Sequence, residues 1–470
     1  MTRLLSPLLS RLGLIVASTG LGMAGFLIFH GVEPTEAQAS PLPGPEPALR
    51  WRENLSLEIQ PRLLARAERP VDLSGDALDR LYVLEQDGDI IRIEPSTETL
   101  SVSTRYGRLA NDRTHPELGF SAMALHPDFH VRKSPGFGKF YAVVAELAHS
   151  GNPDFEPEFG DPGEHHQDVL YEFCARDPLA GRFDGTRREL IRFSQPGAEH
   201  NLNSLAFDER GFLYLAIGDG AFSRPSTGSP SKNASSLTSA YGKVLRIDPL
   251  GTNARNGRYG IPDTNPFQMV TEALPELWAF GLRSPHSLSF DVYRRSLYLS
   301  DRSLGALDRV HESNRGGEHY GWDLEQGSFF VNLTMRRELE EIVSEPVLQV
   351  DRSRGQAGAT VGALVYRGEN FPSLAGRLVH ATHDGQLVAF RPASDGLPGG
   401  NRFEHPVAVP IGPLATKRIR ALRSTPRGEL VFLCEDGSVA LLSKSQREGL
   451  EKSKERSLYC TASAESWPAS

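Results

Sequence analysis

Four groups of residues in this chain have the type and spacing to do chemistry. His200, in Glu199-His200-Asn201, stands just before the alternating run 204–207. An imidazole there can take a proton near neutral pH, although a histidine that caps or packs a strand end has the same local sequence. Arg283 follows Gly281-Leu282 and precedes Pro285, so turn residues fix it at a strand end. Its charge there can stabilise a developing anion, or simply make a surface ion pair. Arg418 and Arg420 flank Ile419 and so project to one side of a strand, a spacing that suits carboxylates held bidentately. A basic strand end beside Lys417 that faces solvent is the plainer alternative. Glu117 and Asp219 sit in the glycine-bounded loops Glu117-Leu118-Gly119 and Gly218-Asp219-Gly220. Glu117 matches an exposed loop carboxylate as well as a binding residue, and Asp219 reads more simply as a turn residue than as a ligand.

What must position these residues is a phrase of short strands that returns along the chain. Residues 80–84 pass through Asp87-Gly88 into 90–93, and 204–207 pass through 208–211 into 212–216 and then 243–247. The same phrase recurs at 287–300, at 376–390 and at 419–442, and once more around His126-Pro127-Asp128. Short alternating runs with Gly at each hairpin predict an all-β radial repeat in which every small sheet packs on its neighbours. Six such units fit, each longer than a minimal propeller blade of about 40–50 residues. The surplus falls in loops, where binding residues collect. Sustained helical spacing is rare; residues 336–342 are the best candidate, a short peripheral helix. The division expected is a signal peptide or anchor over 1–39, a Pro-rich linker over 40–60, the propeller over 61–445 and a polar tail over 446–470.

The composition narrows the function. The chain has 470 residues, a net charge of −8, 45 glycines and 33 prolines. Mild acidity without a Lys/Arg run argues against a nucleic-acid partner. Residues 12–29 carry no charge, Arg3 and Arg11 precede them, and Ala37-Gln38-Ala39 offers a small-x-small cleavage pattern. The body is therefore expected to be periplasmic or extracellular, released by cleavage or held to the membrane only through its N-terminal segment. In that compartment Cys174, Cys434 and Cys460 could hold one bridge and one thiol, or stay unpaired. His165-His166, in an acidic Pro/Gly-rich insertion, fit a solvated loop or a loose metal pair. His126 fits a blade turn, and Trp278 and Trp322 fit packing between blades.

Taken in order, Glu117-Leu118-Gly119 through His126-Pro127-Asp128-Phe129, Glu199-His200-Asn201, Gly281-Leu282-Arg283-Ser284-Pro285 and Tyr320-Gly321-Trp322 resemble the glucose/sorbosone dehydrogenase family. Gly218-Asp219-Gly220, residues 242–249 and Asn265-Pro266-Phe267 lie between them as the family has them, and the resemblance runs over about residues 70–443. It implies a six-bladed β-propeller of four-stranded antiparallel blades that uses pyrroloquinoline quinone (PQQ). The implied reaction is hydride transfer from an aldose sugar or related alcohol, with electrons leaving to a respiratory acceptor. By the same resemblance His200 is the base, Arg283 faces the quinone oxygen, and Arg418 and Arg420 hold cofactor carboxylates. Glu117, Asn201 and His383 fall around the cofactor, His383 at a position where the family can have lysine. Departures are visible: Ser284 replaces an Asn, and Leu202-Asn203 replace glycines. Calcium is also implied, but of its usual ligand segments only Asp308 and Tyr320 are kept, and Arg302 and Arg309 would oppose a cation there. The alternative is a propeller that has lost its cofactor and serves as an extracytoplasmic binding or interaction module. A lactonase-like hydrolase would need a central ring of Asp, Glu and Asn that the sequence does not offer.

Overall fold

The computed structural model describes residues 59–94, 102–159, 163–220, 232–302, 307–322, 325–326, 329–330, 343–352, 358–392 and 403–444. The apolar stretch 12–29, the Pro-rich linker to residue 58, the expected helix at 336–342, Cys460 and the C-terminal tail lie outside them. Among the described residues no helix is long and apolar enough to cross a membrane.

The architecture is a six-bladed propeller, as the repeat predicts. Six antiparallel sheets of four strands follow one another along the chain. The first blade runs Pro70–Gly75, Leu81–Glu85, Asp89–Glu94, Val102–Arg108. The second runs Phe120–Leu125, Lys139–Leu147, His166–Ala175, Gly185–Gln195, and the third Leu202–Phe207, Leu213–Ile217, Lys243–Ile247, Leu277–Phe280. The fourth is Pro285–Asp291, Ser296–Asp301, Leu307–Ser313, Leu348–Asp351, and the fifth Thr360–Val365, Leu378–Thr382, Leu387–Pro392, Phe403–Ala408. In the sixth, Ile419–Ser424, Leu430–Cys434 and Ser438–Lys444 are completed by Ile59–Arg66, which pairs antiparallel with Ser438–Lys444. The beginning of the propeller thus closes its last blade and covers an edge that would otherwise be open.

Each blade's first strand packs against the first strands of both neighbours, so six inner strands surround the axis. The middle strands Leu81–Glu85, Leu213–Ile217, Leu378–Thr382 and Leu430–Cys434 are buried along their whole length. Blades cover them on both faces, which is why they read as nearly continuous apolar runs. Backbone N–H groups of one inner strand are accepted by side chains of the next: Met123 by Asp72 and Leu125 by Ser74 in one pair, Leu288 by Ser204 in another. Equal steps along both chains make neighbouring inner strands parallel, so all six start at one end of the axis. All six also carry a register shift at the second residue, at Val71, Ser121, Asn203, His286, Val361 and Arg420. A bulge of this kind bends a strand and re-aims the side chain it inserts. Cys174 and Cys434 are free thiols in different blades.

Candidate active site

The residues singled out by sequence come from three places in each blade: the entry to the inner strand, its first residues, and the turn between the second and third strands. In an antiparallel blade all three lie at the end where the inner strands start. His200, Asn201, Arg283, Arg418, Arg420, Glu117 and His383 therefore share one mouth of the propeller axis, although up to three hundred residues separate them in the chain.

His200 is held by its neighbours on both sides of the ring. Its backbone lies in the left-handed region at φ 61°, a conformation rare for residues other than glycine and costly unless surroundings impose it. Gly218 makes room for it: a Cβ on that residue would stand 2.2 Å from the His200 carbonyl oxygen. The imidazole is buried, and its Nδ1 lies 2.6 Å from Oδ1 of the fully buried Asp219. Trp322 Nε1 donates to the other oxygen of Asp219 at 2.8 Å, and the Asp219 N–H donates to the Arg283 carbonyl at 2.9 Å. Asp219 is thus more than the turn residue its glycine neighbours suggest. It accepts at the Nδ1 side of the ring and so orients the imidazole with Nε2 on the far side. Trp322 likewise does more than pack, since the Arg283 guanidinium lies over its ring at 5.3 Å.

Arg283 is positioned through its main chain. The backbone N–H groups of Arg283 and Ser284 donate to the two oxygens of Asp301, at 3.1 and 2.7 Å. Asp301 is buried, and burial pushes its carboxyl up to about 6 against the two hydrogen bonds and the Arg309 charge. The Arg283 side chain, half-buried, donates to the Arg302 carbonyl at 3.3 Å. Next along the mouth, His286 Nε2 donates to the Thr360 carbonyl at 2.8 Å. Its burial and the Arg302 charge push it down to about 3, so it stays neutral. Sequence reasoning missed Asp301 and His286; the bulge shared by the inner strands is what brings His286 to this level.

Arg418 and Arg420 are exposed while Ile419 and Ala421 are buried, so both guanidiniums lie on one side. Among the described residues neither has a hydrogen-bonded carboxylate. Nearby, His383 Nε2 lies 2.9 Å from Oε1 of Glu435, and the backbone joins the group: Ile419 N donates to the His383 carbonyl and Glu435 N to the Arg418 carbonyl, both at 2.9 Å. The His383 hydrogen bond, with the charges of His383, Arg418 and Arg420 behind it, holds the Glu435 carboxyl below its ordinary range.

Other candidates are placed differently. Glu117 is exposed on the loop into the second blade, and its carbonyl accepts from Gln86 at 2.7 Å. Asn201 turns back to donate to the Ala198 carbonyl at 3.1 Å, and its buried oxygen lacks a hydrogen-bond partner. Asp308 is fully buried; it accepts from Thr360 N at 2.9 Å and lies 3.2 Å from an Arg352 guanidinium nitrogen. The Tyr320 hydroxyl is committed to the Glu312 carbonyl at 3.2 Å, and its ring lies 4.1 Å from that of the buried His311. Asp308 thus already faces a cationic side chain.

The sequence profile of the glucose/sorbosone dehydrogenase family matches residues 68–443. The chain belongs to that family. It is 27% identical over 338 residues to the HIPL1 protein of Arabidopsis thaliana, a match that covers 63% of this chain and 46% of HIPL1. It is 27% identical over 296 residues to the aldose sugar dehydrogenase YliI of Escherichia coli K12, covering 62% of this chain and 71% of YliI. This family member thus spans less than half of the first relative and more than two thirds of the second. Among solved structures, the PQQ-bound form of an aldose sugar dehydrogenase from Streptomyces coelicolor superposes with a TM-score of 0.56 at 18% identity, over 81% of this chain and 96% of that one. The last likeness shows the fold.

Proposed function

We propose that this chain is an exported quinoprotein that oxidises an aldose sugar or related alcohol by hydride transfer to PQQ. The observation that carries the proposal is the Asp219–His200 pair, set at the same mouth as Arg283, Arg418 and Arg420. PQQ is a planar tricarboxylate, and the donor set suits it: two exposed guanidiniums side by side without hydrogen-bonded carboxylates, and a third half-buried. Arg418 and Arg420 would hold its carboxylates, with His383 and Glu117 at the margin and Asn201 beside His200. When bound, the cofactor supplies the two-electron acceptor for the hydride.

The remaining chemistry belongs to the chain. His200 Nε2 takes the substrate hydroxyl proton, and Asp219 stabilises the imidazolium so formed. The Arg283 charge, fixed through Asp301 and laid over Trp322, would offset the negative charge that hydride transfer places on the acceptor. The electrons then leave to a respiratory acceptor. Calcium does not fit Asp308 and Tyr320 as they are arranged, because Arg352 already neutralises Asp308, and no step here uses it.

The test adds PQQ, with and without calcium, to purified full-length protein and follows dye reduction across a panel of sugars and alcohols. Cofactor-dependent turnover supports the proposal; no spectral change on adding PQQ under either condition refutes it. The commitment of Asp308 and Tyr320 to internal contacts favours a second reading, a cofactor-less extracytoplasmic binding module, and that result would leave it standing.

A further inference from the structure

The end of the propeller opposite the redox mouth carries loops of its own: the turns from first to second strand and from third to fourth strand of each blade. One buried guanidinium pins three of them together. Arg80 Nε donates to Asp76 at 2.8 Å, and its Nη2 donates to the Pro178 carbonyl at 3.1 Å and lies 2.9 Å from His130 Nε2. Each loop joined at this hub holds an apolar side chain out of the core. Leu78 is 53% exposed, Val131 51% and Leu179 51%, all within two residues of a member of the hub. Local hydrogen bonds fix them there: Leu78 N donates to Asp76 at 3.0 Å, Val131 N to the Asp128 carbonyl at 2.8 Å and Leu179 N to Asp177 at 3.0 Å. Single apolar residues scattered over a surface are ordinary, whereas three on one braced platform mark a contact face.

The charge around this platform is opposite in sign to that of the whole chain, which is −8. Arg132 and Lys133 beside Val131, Arg182 in the loop of Leu179, and Arg210 in the matching turn of the third blade are exposed. Among the described residues none of the four makes an ion pair. The acids of the same loops are committed: Asp76 to the hub, Asp79 to Arg427 at 3.3 Å, Asp128 to the Ser134 hydroxyl at 2.7 Å, Asp177 to Leu179 N, and Asp184 to Arg176 at 3.0 Å. The free charge is therefore positive. A further observation is where the chain enters the fold. Ile59 faces Lys444 across the last blade, and Ile59–Arg66 runs from this end toward the mouth. The uncharged stretch 12–29 precedes Ile59 in the sequence, so what precedes the propeller joins it on the platform side.

We propose that this face docks on an anionic phospholipid surface. Leu78, Val131 and Leu179 enter the headgroup layer, and the four unpaired cations meet lipid phosphates, the combination of apolar burial and charge attraction that holds a protein on a membrane. A second copy of the chain suits the face less well. Two basic faces repel each other, and three side chains fall short of the roughly 800 Å² per partner that a stable protein interface buries. Docked this way, the propeller turns its redox mouth away from the membrane, open to solutes. The face uses none of the residues assigned to hydride transfer and stands whether or not PQQ binds.

Hydrogen–deuterium exchange of the full-length protein tests it, with vesicles of phosphatidylcholine alone or mixed with phosphatidylglycerol. The mixed vesicles are expected to slow exchange in residues 76–80, 127–135 and 176–184 and to leave the mouth turns at 383–385 and 435–437 unchanged. High salt should weaken that protection. Arg132→Glu combined with Lys133→Glu, and separately Leu179→Ser, change only exposed side chains. Each is expected to lose most of the protection, with exchange in the absence of vesicles as in wild type. No protection of the three loops, protection that is equal on phosphatidylcholine alone, or protection that survives in both variants overturns the proposal. So does protection that grows with protein concentration in the absence of vesicles, which would make a second copy the occupant.

Discussion

Replacing Asp219 by Asn removes one negative charge from the site and leaves the side chain's shape unchanged. The wild-type carboxylate accepts on both oxygens, from Trp322 and at the His200 ring. An amide has one acceptor oxygen, so it can satisfy Trp322 or His200 but not both. The charge matters when His200 becomes an imidazolium. With charge centres about 4 Å apart and an effective dielectric constant of about 20, the attraction is about 4 kcal/mol. At about 1.4 kcal/mol per tenfold, that corresponds to roughly a thousandfold in rate. Because an amide dipole retains part of it, kcat of the PQQ-loaded protein is expected to fall by about 10²- to 10³-fold. Cofactor affinity, carried by Arg418 and Arg420, should move little. The assay is steady-state dye reduction at saturating sugar, with PQQ binding followed separately by absorbance. A kcat within tenfold of wild type with PQQ bound, or a loss that tracks lost PQQ binding, would refute the reasoning.

Arg418→Ala and Arg420→Ala are each expected to weaken PQQ binding about 10- to 100-fold, from charge-assisted hydrogen bonds of about 1.5–3 kcal/mol. Spectroscopic titration measures this, and melting should be unchanged because both side chains are exposed. Gly218→Ala drives a methyl group against the His200 carbonyl; calorimetry should show about 2 kcal/mol of lost stability, and turnover should fall with it. Asp301 has a folded-state value of about 6 against an ordinary 3.8, so between those values the folded protein keeps a proton that the unfolded chain releases. Its ionisation therefore lowers stability as pH rises from about 4 to 6. Asp301→Asn should flatten that part of the stability curve in urea midpoints, and an unchanged slope would count against the buried carboxyl.

The blades were legible because short strands with Gly at each hairpin return along the chain, each return marking one small sheet. Closure by Ile59–Arg66 was not legible: Pro61 and three charged or amide side chains interrupt the strand, and its partner lies almost four hundred residues away. Asp219 shows the same limit at the site. Gly218-Asp219-Gly220 reads locally as a turn, and a turn it is. That the carboxylate meets His200 depends on the pairing of Leu202–Phe207 with Leu213–Ile217, which local sequence does not reveal. Arg418 and Arg420 are both exposed beside a buried Ile419, but Arg418 precedes the strand and Arg420 sits at its bulge, so regular alternation is not what places them. Asn201 sits beside the expected base but bonds back to its own loop, a partner that residue type alone does not reveal.

The bulge repeated at the second residue of every inner strand gives the mouth a common design with separate occupants. The backbone offers six equivalent seats, filled here by an alcohol, an amide, an imidazole, a guanidinium and two valines. Each seat belongs to a different sheet, yet an occupant can tie its strand to the next, as His286 does at the Thr360 carbonyl and Ser121 at the Leu202 carbonyl. A scaffold built this way can change what it grips by single substitutions while its frame stays as it is.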